Sequence, residues 1–369
     1  MTLLSLYVHI PFCHRRCPYC SFYHEQPVGD RESDFVDAVA GEARQTLESM
    51  AGGVRLHTVY FGGGTPSVLE ESSWKRIFDT LRPYLSSSDP TEITCELNPE
   101  DVTAGLLDLL AALGVNRVSL GVQTMDAKAQ KVLGRCLPAT NRRAIALVSE
   151  RFSNVNFDIL LGVPGRSAAS LESTLDALTA HGPAHLSVYG LEPGGDMGEA
   201  VDHFFAGVDA NHSADEYLRV CDRLRMAGYG HYEVSNFARP GYESLHNRAY
   251  WEGGEYVGLG PGAHSYLGGN RYHNPPSLDA YLANAGGTWE DGRVYDTPDP
   301  KAAAIERLML GLRTSRGAAL DSMDCPDDEI NVMLKRGLAG LESGRLRLTD
   351  RGFLVLNEIV LRLIRYQRC

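Results

Sequence analysis

Six short apolar runs, each followed by an amphipathic stretch, constrain this chain more than any other feature. They are Leu4–Ile10, Leu56–Phe61, Glu92–Leu97, Arg117–Val122, Val155–Leu161 and His185–Leu191. Near-continuous Val, Ile, Leu and Tyr is what strands covered on both faces carry. The stretches between them, such as Asp34–Met50, Trp74–Leu85 and Leu171–Ala180, have helical periodicity. Strands alternating with helices imply parallel pairing through right-handed crossovers. A full eight-fold barrel takes about 250 residues, and only six units fit before residue 230. The expectation is an α/β fold whose first part, 1–230, is an incomplete six-unit (β/α) barrel.

In such a barrel, function collects at the C-terminal ends of the strands. The first strand runs into Cys13-His14-Arg15-Arg16-Cys17-Pro18-Tyr19-Cys20. Three thiolates in one loop are soft ligands that suit an iron–sulfur cluster or zinc. A structural zinc site needs a fourth ligand, but Ser21 and Phe22 follow Cys20 and the next cysteine is Cys95. Three ligands on a cubane cluster leave one iron open for a small molecule. The second strand ends in Gly62-Gly63-Gly64-Thr65-Pro66, where missing side chains allow close approach to the backbone. Glu96, Gln123 and Asp158 then place one polar side chain each on the third, fourth and fifth strands, in the same phase. A buried polar group needs a partner, and either a satisfied core or a bound ligand supplies one.

The C-x3-C-x2-C run, its aromatic-Cys ending and the preceding Tyr7-Val8-His9-Ile10-Pro11-Phe12 resemble the radical S-adenosylmethionine superfamily. The resemblance is narrower still to the branch holding oxygen-independent coproporphyrinogen III dehydrogenase and the HemW-type haem chaperones. It implies a partial barrel in which Cys13, Cys17 and Cys20 hold a [4Fe-4S] cluster, the open iron being chelated by the methionine part of S-adenosylmethionine. It also implies that Tyr7, Tyr19, Gly63, Gly64, Thr65, Glu96, Gln123, Arg135 and Asp158 hold that cofactor. A carboxylate suits a ribose diol, and Arg135 suits the methionine carboxylate. The chain departs from the branch at Leu137, where relatives carry a histidine.

Beyond Pro193-Gly194-Gly195 the composition becomes glycine-punctuated, and His246-Asn247-Arg248-Ala249-Tyr250-Trp251 stands in an extension spanning 231–297. This block resembles the His-Asn-x-x-Tyr-Trp motif of the chaperones, and the resemblance implies haem held by His246, with His9, His264 and His273 as other imidazoles. Packing is the alternative reading of the same aromatic cluster. The last part, 298–369, reads as helix (Ala302–Leu312), helix (Glu329–Leu341), short strands and a final helix (Leu354–Tyr366), a winged-helix-like pattern expected to act as a lid or docking surface.

Two functions lead on these residues, ahead of a radical enzyme acting on an unrelated substrate with the haem motif vestigial. One is a haem chaperone that delivers haem to client proteins in the cytosol or membrane, respiratory complexes among them. The other is the dehydrogenase, which oxidatively decarboxylates propionates. The resemblance assigns the dehydrogenase a fourth cysteine where this chain has Phe22, and a longer arm before the first strand, so the chaperone is the expectation. A net charge of −12 argues against broad nucleic-acid binding. The eight cysteines do not read as a disulfide framework, and no signal pattern precedes the first strand. A cytoplasmic location follows as the expectation, with attachment at the inner membrane face and homodimer formation left open.

Overall fold

The computed structural model describes residues 2–50, 52–85, 91–191, 209–322 and 325–366. The Pro193-Gly194-Gly195 stretch lies outside them. Six parallel strands stand in sequence order: β1 (Thr2–Ile10), β2 (Val54–Gly63), β3 (Glu92–Leu97), β4 (Arg117–Gln123), β5 (Val155–Leu161) and β6 (His185–Gly190). A hairpin of β7 (Gly230–Glu233) and β8 (Asn236–Ala238) pairs antiparallel to β6. At the other edge β9 (Tyr256–Leu259) runs parallel to β1, followed by β10 (His264–Leu267), β11 (Asn270–His273) and β12 (Val294–Asp296). The extension therefore lengthens the barrel's own sheet at both edges and covers backbone groups that open strands would expose.

The strands are not apolar on both faces, contrary to the reading of the runs as continuous. They alternate with period two. Leu4, Leu6, Val8 and Ile10 of β1, Val59 and Phe61 of β2, and Val118, Leu120 and Val122 of β4 are buried against the outer helices. Phe61, for instance, meets Trp74 of the helix Glu71–Leu81 edge to face at 5.1 Å. The other phase is polar: Tyr7 and His9, Thr58 and Tyr60, Glu92 and Glu96, Arg117 and Ser119, Asn156 and Asp158, His185 and Ser187. These side chains bond to one another, as in His185 Nδ1 to Asn156 Oδ1 at 2.6 Å and the Asn156 amide to Asp158 at 2.7 Å. The inner face is polar because it encloses a cavity and a helix, not layers of aliphatic side chains.

That helix, Leu245–Trp251, closes the floor of the barrel. Ser244 caps it, its Oγ accepting from Asn247 N at 3.3 Å. Glu92 accepts from Leu245 N at 3.1 Å and His246 N at 3.0 Å, placing a carboxylate at the positive helix end.

The C-terminal part comprises the helices Pro300–Leu312 and Asp327–Lys335, a small sheet in the order β13 (Ala318–Ala319), β15 (Arg345–Leu348), β14 (Ala339–Glu342), and the helices Asp350–Leu354 and Leu356–Leu363. The middle helix ends well before Leu341, because Gly337 turns left-handed at φ +67° and the next residues pair in β14. The final helical run breaks in two at Val355. Asp350 docks this part on the body, bonding to Arg225 and to His231 Nδ1 at 2.9 Å. No described helix is long and apolar enough to cross a membrane.

Candidate functional site

The cysteine loop begins and ends at the same place. Cys13 N donates to Glu25 O at 2.8 Å and Glu25 N to Pro11 O at 2.6 Å, and buried Phe12 anchors the loop edge-on to Phe35 at 5.4 Å. Cys13, Cys17 and Cys20 are free thiols at intermediate depth. The glycine turn after β2 lies against the loop: Gly64 N donates to Ile10 O and Thr65 N to Phe12 O at 2.7 and 2.8 Å, and Thr65 Oγ1 bonds Cys13 Sγ at 3.1 Å. A Cβ on Gly64 would come within 2.7 Å of Phe12 O, so only glycine permits this contact.

These residues border a cavity of about 540 Å³ at the C-terminal ends of the strands. Of the residues expected at the site, the three cysteines, Tyr19, Gly63, Gly64, Thr65, Glu96, Gln123, Arg135 and Asp158 all line it. Tyr7 and His246 are not among its lining residues. The Tyr7 hydroxyl bonds His9 Nδ1 at 3.1 Å within the barrel, with its ring 6.2 Å from that of Tyr60. His246 is buried in the floor. Its Nδ1 bonds Thr58 Oγ1 at 2.7 Å, its Nε2 bonds the Tyr250 hydroxyl at 2.8 Å, and its ring stacks on Tyr60 at 5.0 Å. Both imidazole nitrogens are thus engaged, and burial lowers the ring's pKa to about 3. In this arrangement His246 offers no lone pair to an iron.

Three features of the cavity wall fit a bound cofactor. Gln123 adopts φ +66°, unusual for a residue with a side chain, and its Oε1 is buried with no partner. Arg135 gives Nη2 to Gly121 O at 2.6 Å and Nη1 to Cys17 Sγ at 3.6 Å, while its Nε is buried unpaired. Gly121 leaves room for both, since a Cβ there would sit 3.1 Å from each side chain. Orphaned buried polar atoms call for a ligand, an ion or an ordered water. Two residues that the motifs did not single out hold the carboxyl groups of the wall. Ser119 donates to Asp158 at 3.1 Å, and the Tyr60 hydroxyl to Glu96 at 2.7 Å. The period-two phase shared with Glu96 and Asp158 was the signal that could have found them.

Burial raises Glu96 to about 7, with Asp158 adding to the rise and the Tyr60 hydrogen bond opposing it. Burial likewise raises Asp158 to about 6 against its bonds to Asn156 and Ser119. A carboxyl with a raised folded pKa holds a proton that the unfolded chain has released. Its contribution to stability is therefore present at low pH and falls as pH climbs through the folded value. Relative to Glu96→Gln, the ligand-free protein is expected to lose about 1–2 kcal/mol between pH 5.5 and 7.5. Urea unfolding of both proteins at the two pH values measures this, and parallel behaviour would contradict the assigned protonation.

A partial parallel barrel with three thiols at the C-terminal end of its first strand defines a class, and the Radical SAM superfamily profile matches residues 7–178. The chain is 33% identical to the heme chaperone HemW of Mycobacterium tuberculosis, covering 96% of this chain and 93% of that protein. It is 31% identical to the Bacillus subtilis heme chaperone HemW, covering 96% and 97%. Mouse radical S-adenosyl methionine domain-containing protein 1, mitochondrial, is 36% identical over 98% of this chain and 88% of its own. Among solved structures, Escherichia coli coproporphyrinogen III oxidase (HemN) superposes with a TM-score of 0.83 at 23% identity, over 98% of this chain and 90% of that one, a likeness of fold. The chain belongs to the HemW family of the radical S-adenosylmethionine superfamily.

Proposed function

We infer that this protein is a haem chaperone that carries a [4Fe-4S] cluster and S-adenosylmethionine, binds haem as cargo and passes it to client proteins. The observation that carries the reading is full-length similarity to HemW proteins in a chain whose three thiols meet a cavity with unpaired polar atoms. Cys13, Cys17 and Cys20 would hold the cluster. When bound, the cluster supplies an open iron for the amino and carboxylate groups of S-adenosylmethionine. Arg135 faces the cavity with a guanidinium suited to a carboxylate, and Glu96 and Asp158 supply carboxyl acceptors for ribose hydroxyls. The Gly62–Gly64 turn lets the cofactor approach the backbone, and Gln123 offers its free amide oxygen. Tyr7 stands behind this set as support through His9. The alternative, coproporphyrinogen dehydrogenase, is disfavoured by Phe22, which lines the cavity where that enzyme carries a further cysteine. The clients are haem-accepting proteins of the cytosol or of the membrane's inner face.

The reading is tested by anaerobic reconstitution. Wild-type protein is expected to take up a [4Fe-4S] cluster whose electron paramagnetic resonance signal shifts with S-adenosylmethionine, and Cys17→Ala to form none while still binding haem. A cluster of unchanged occupancy in Cys17→Ala would remove the ligand assignment, and wild-type protein without haem affinity would remove the chaperone.

A further inference from the structure

A second cavity, of about 420 Å³, lies between the outer side of the floor helix Leu245–Trp251 and the C-terminal part. Four guanidinium groups line it: Arg248 on the floor helix, Arg307 on Pro300–Leu312, Arg316 on the turn that follows, and Arg345 on β15. This concentration is unexpected in a chain of net charge −12. Nearby carboxylates do not balance it. Glu252 serves two of the arginines at once, accepting from Arg248 at 3.1 Å and Arg316 at 3.0 Å. Glu243, which accepts from Gly241 N, keeps its charge, so the lining sets four cations against two carboxylates.

Arg345 is held by neutral acceptors, giving Nε to Arg316 O at 2.9 Å and Nη2 to Gly317 O at 2.7 Å. Its charge is therefore fixed in place but not offset. The turn itself requires glycine: Gly317 lies at φ +69°, and a Cβ would fall 2.2 Å from Leu346 O. Arg307 is exposed and makes no hydrogen bond or ion pair among the described residues. Trp251 adds an aromatic wall, and its indole N–H is buried without a partner. A buried donor left unpaired is destabilising, so it calls for a partner.

The motif block is thus divided by the helix that carries it. His246 and Tyr250 face the barrel interior, whereas Arg248 and Trp251 line this cleft. We propose that the cleft binds a flat aromatic anion carrying more than one carboxylate, and that in this chain the ligand is haem, held by its propionates and the face of its ring. The identification of the anion rests on the chaperone reading above. Paired arginines suit carboxylates through charge-assisted, bidentate bonds, and an indole suits a macrocycle face. No described His, Cys or Met lines the cleft. The cargo would be gripped by its edge, with no imidazole or sulfur bond to break on transfer.

The test titrates full-length protein with haem, iron-free protoporphyrin IX and protoporphyrin IX dimethyl ester. Wild-type protein is expected to bind the first two with affinities within about threefold of each other, and the ester at least about tenfold more weakly, the loss of one charge-assisted bond. Arg307→Met/Arg316→Met, at exposed positions, is expected to weaken haem binding about tenfold with unchanged melting temperature and cluster content. Haem binding that survives intact in this double variant, or equal affinity for the ester, overturns the cleft assignment alone. Wild-type protein that binds no haem overturns the chaperone reading and this assignment with it.

Discussion

His246→Ala is expected to destabilise the protein by about 3 kcal/mol and to weaken S-adenosylmethionine binding, while haem affinity stays within about twofold of wild type. His246 is 1% exposed and lies under the ring of Tyr60, whose hydroxyl donates to Glu96 in the cofactor cavity. Truncation opens a void there and strips Thr58 Oγ1 and the Tyr250 hydroxyl of their shared partner. The cavity term and the two unsatisfied hydroxyls act in the same direction. Tyr60 then loses its support from below, and Glu96 loses a fixed donor. Because burial keeps His246 neutral far below physiological pH, titration of its own ring adds no pH dependence to the effect between pH 6 and 8. Urea unfolding and separate titrations with haem and S-adenosylmethionine distinguish the roles. A stable variant with normal cofactor affinity and no haem binding would make His246 an iron ligand after all.

Glu216→Ala should cost more, about 3–5 kcal/mol, because it leaves a buried guanidinium without its counter-charge. Arg166 and Glu216 are almost completely buried, with Arg166 Nη2 and Nε donating to the carboxylate at 2.6 and 3.0 Å. Glu216 also accepts from Gly162 N at 2.7 Å, and Arg166 Nη1 donates to Leu160 O at 2.7 Å. The pair ties the helix Ala210–Met226 to the turn after β5, two residues beyond Asp158 at its nearest bond. Its loss should lower S-adenosylmethionine affinity as well as stability. Arg166→Met/Glu216→Leu, which removes both charges, is expected to recover most of the stability. Equal losses in the single and double variants would show that the charge imbalance is not the cause.

The six parallel strands were legible because each is a short β-branched and aromatic run whose ends carry glycine, asparagine or cysteine. Glu96, Gln123 and Asp158 were legible because strand phase places them together whatever the rest of the chain does. The polar lining was less visible. Ser119, Asn156 and Tyr60 look unremarkable one at a time, and their roles depend on partners on neighbouring strands. His246 shows the limit most clearly. Local sequence shows a histidine among aromatic neighbours, but whether its imidazole meets solvent or Thr58 is decided by a contact 188 residues away. The overlong helix expected through Leu341 failed for a similar reason: β14 pairing with β15 competes with helix propensity, and Gly337 gives the chain a place to turn.

The most direct measurement is made on anaerobically reconstituted, haem-loaded protein mixed with apomyoglobin, with a parallel incubation supplying coproporphyrinogen III, S-adenosylmethionine and an electron donor. The account predicts haem transfer in the first, seen as the spectrum of the acceptor, and no porphyrinogen product by mass spectrometry in the second. Protoporphyrinogen formed by the native chain and not by Cys13→Ala, with no transfer of haem, would contradict it and make the protein a dehydrogenase.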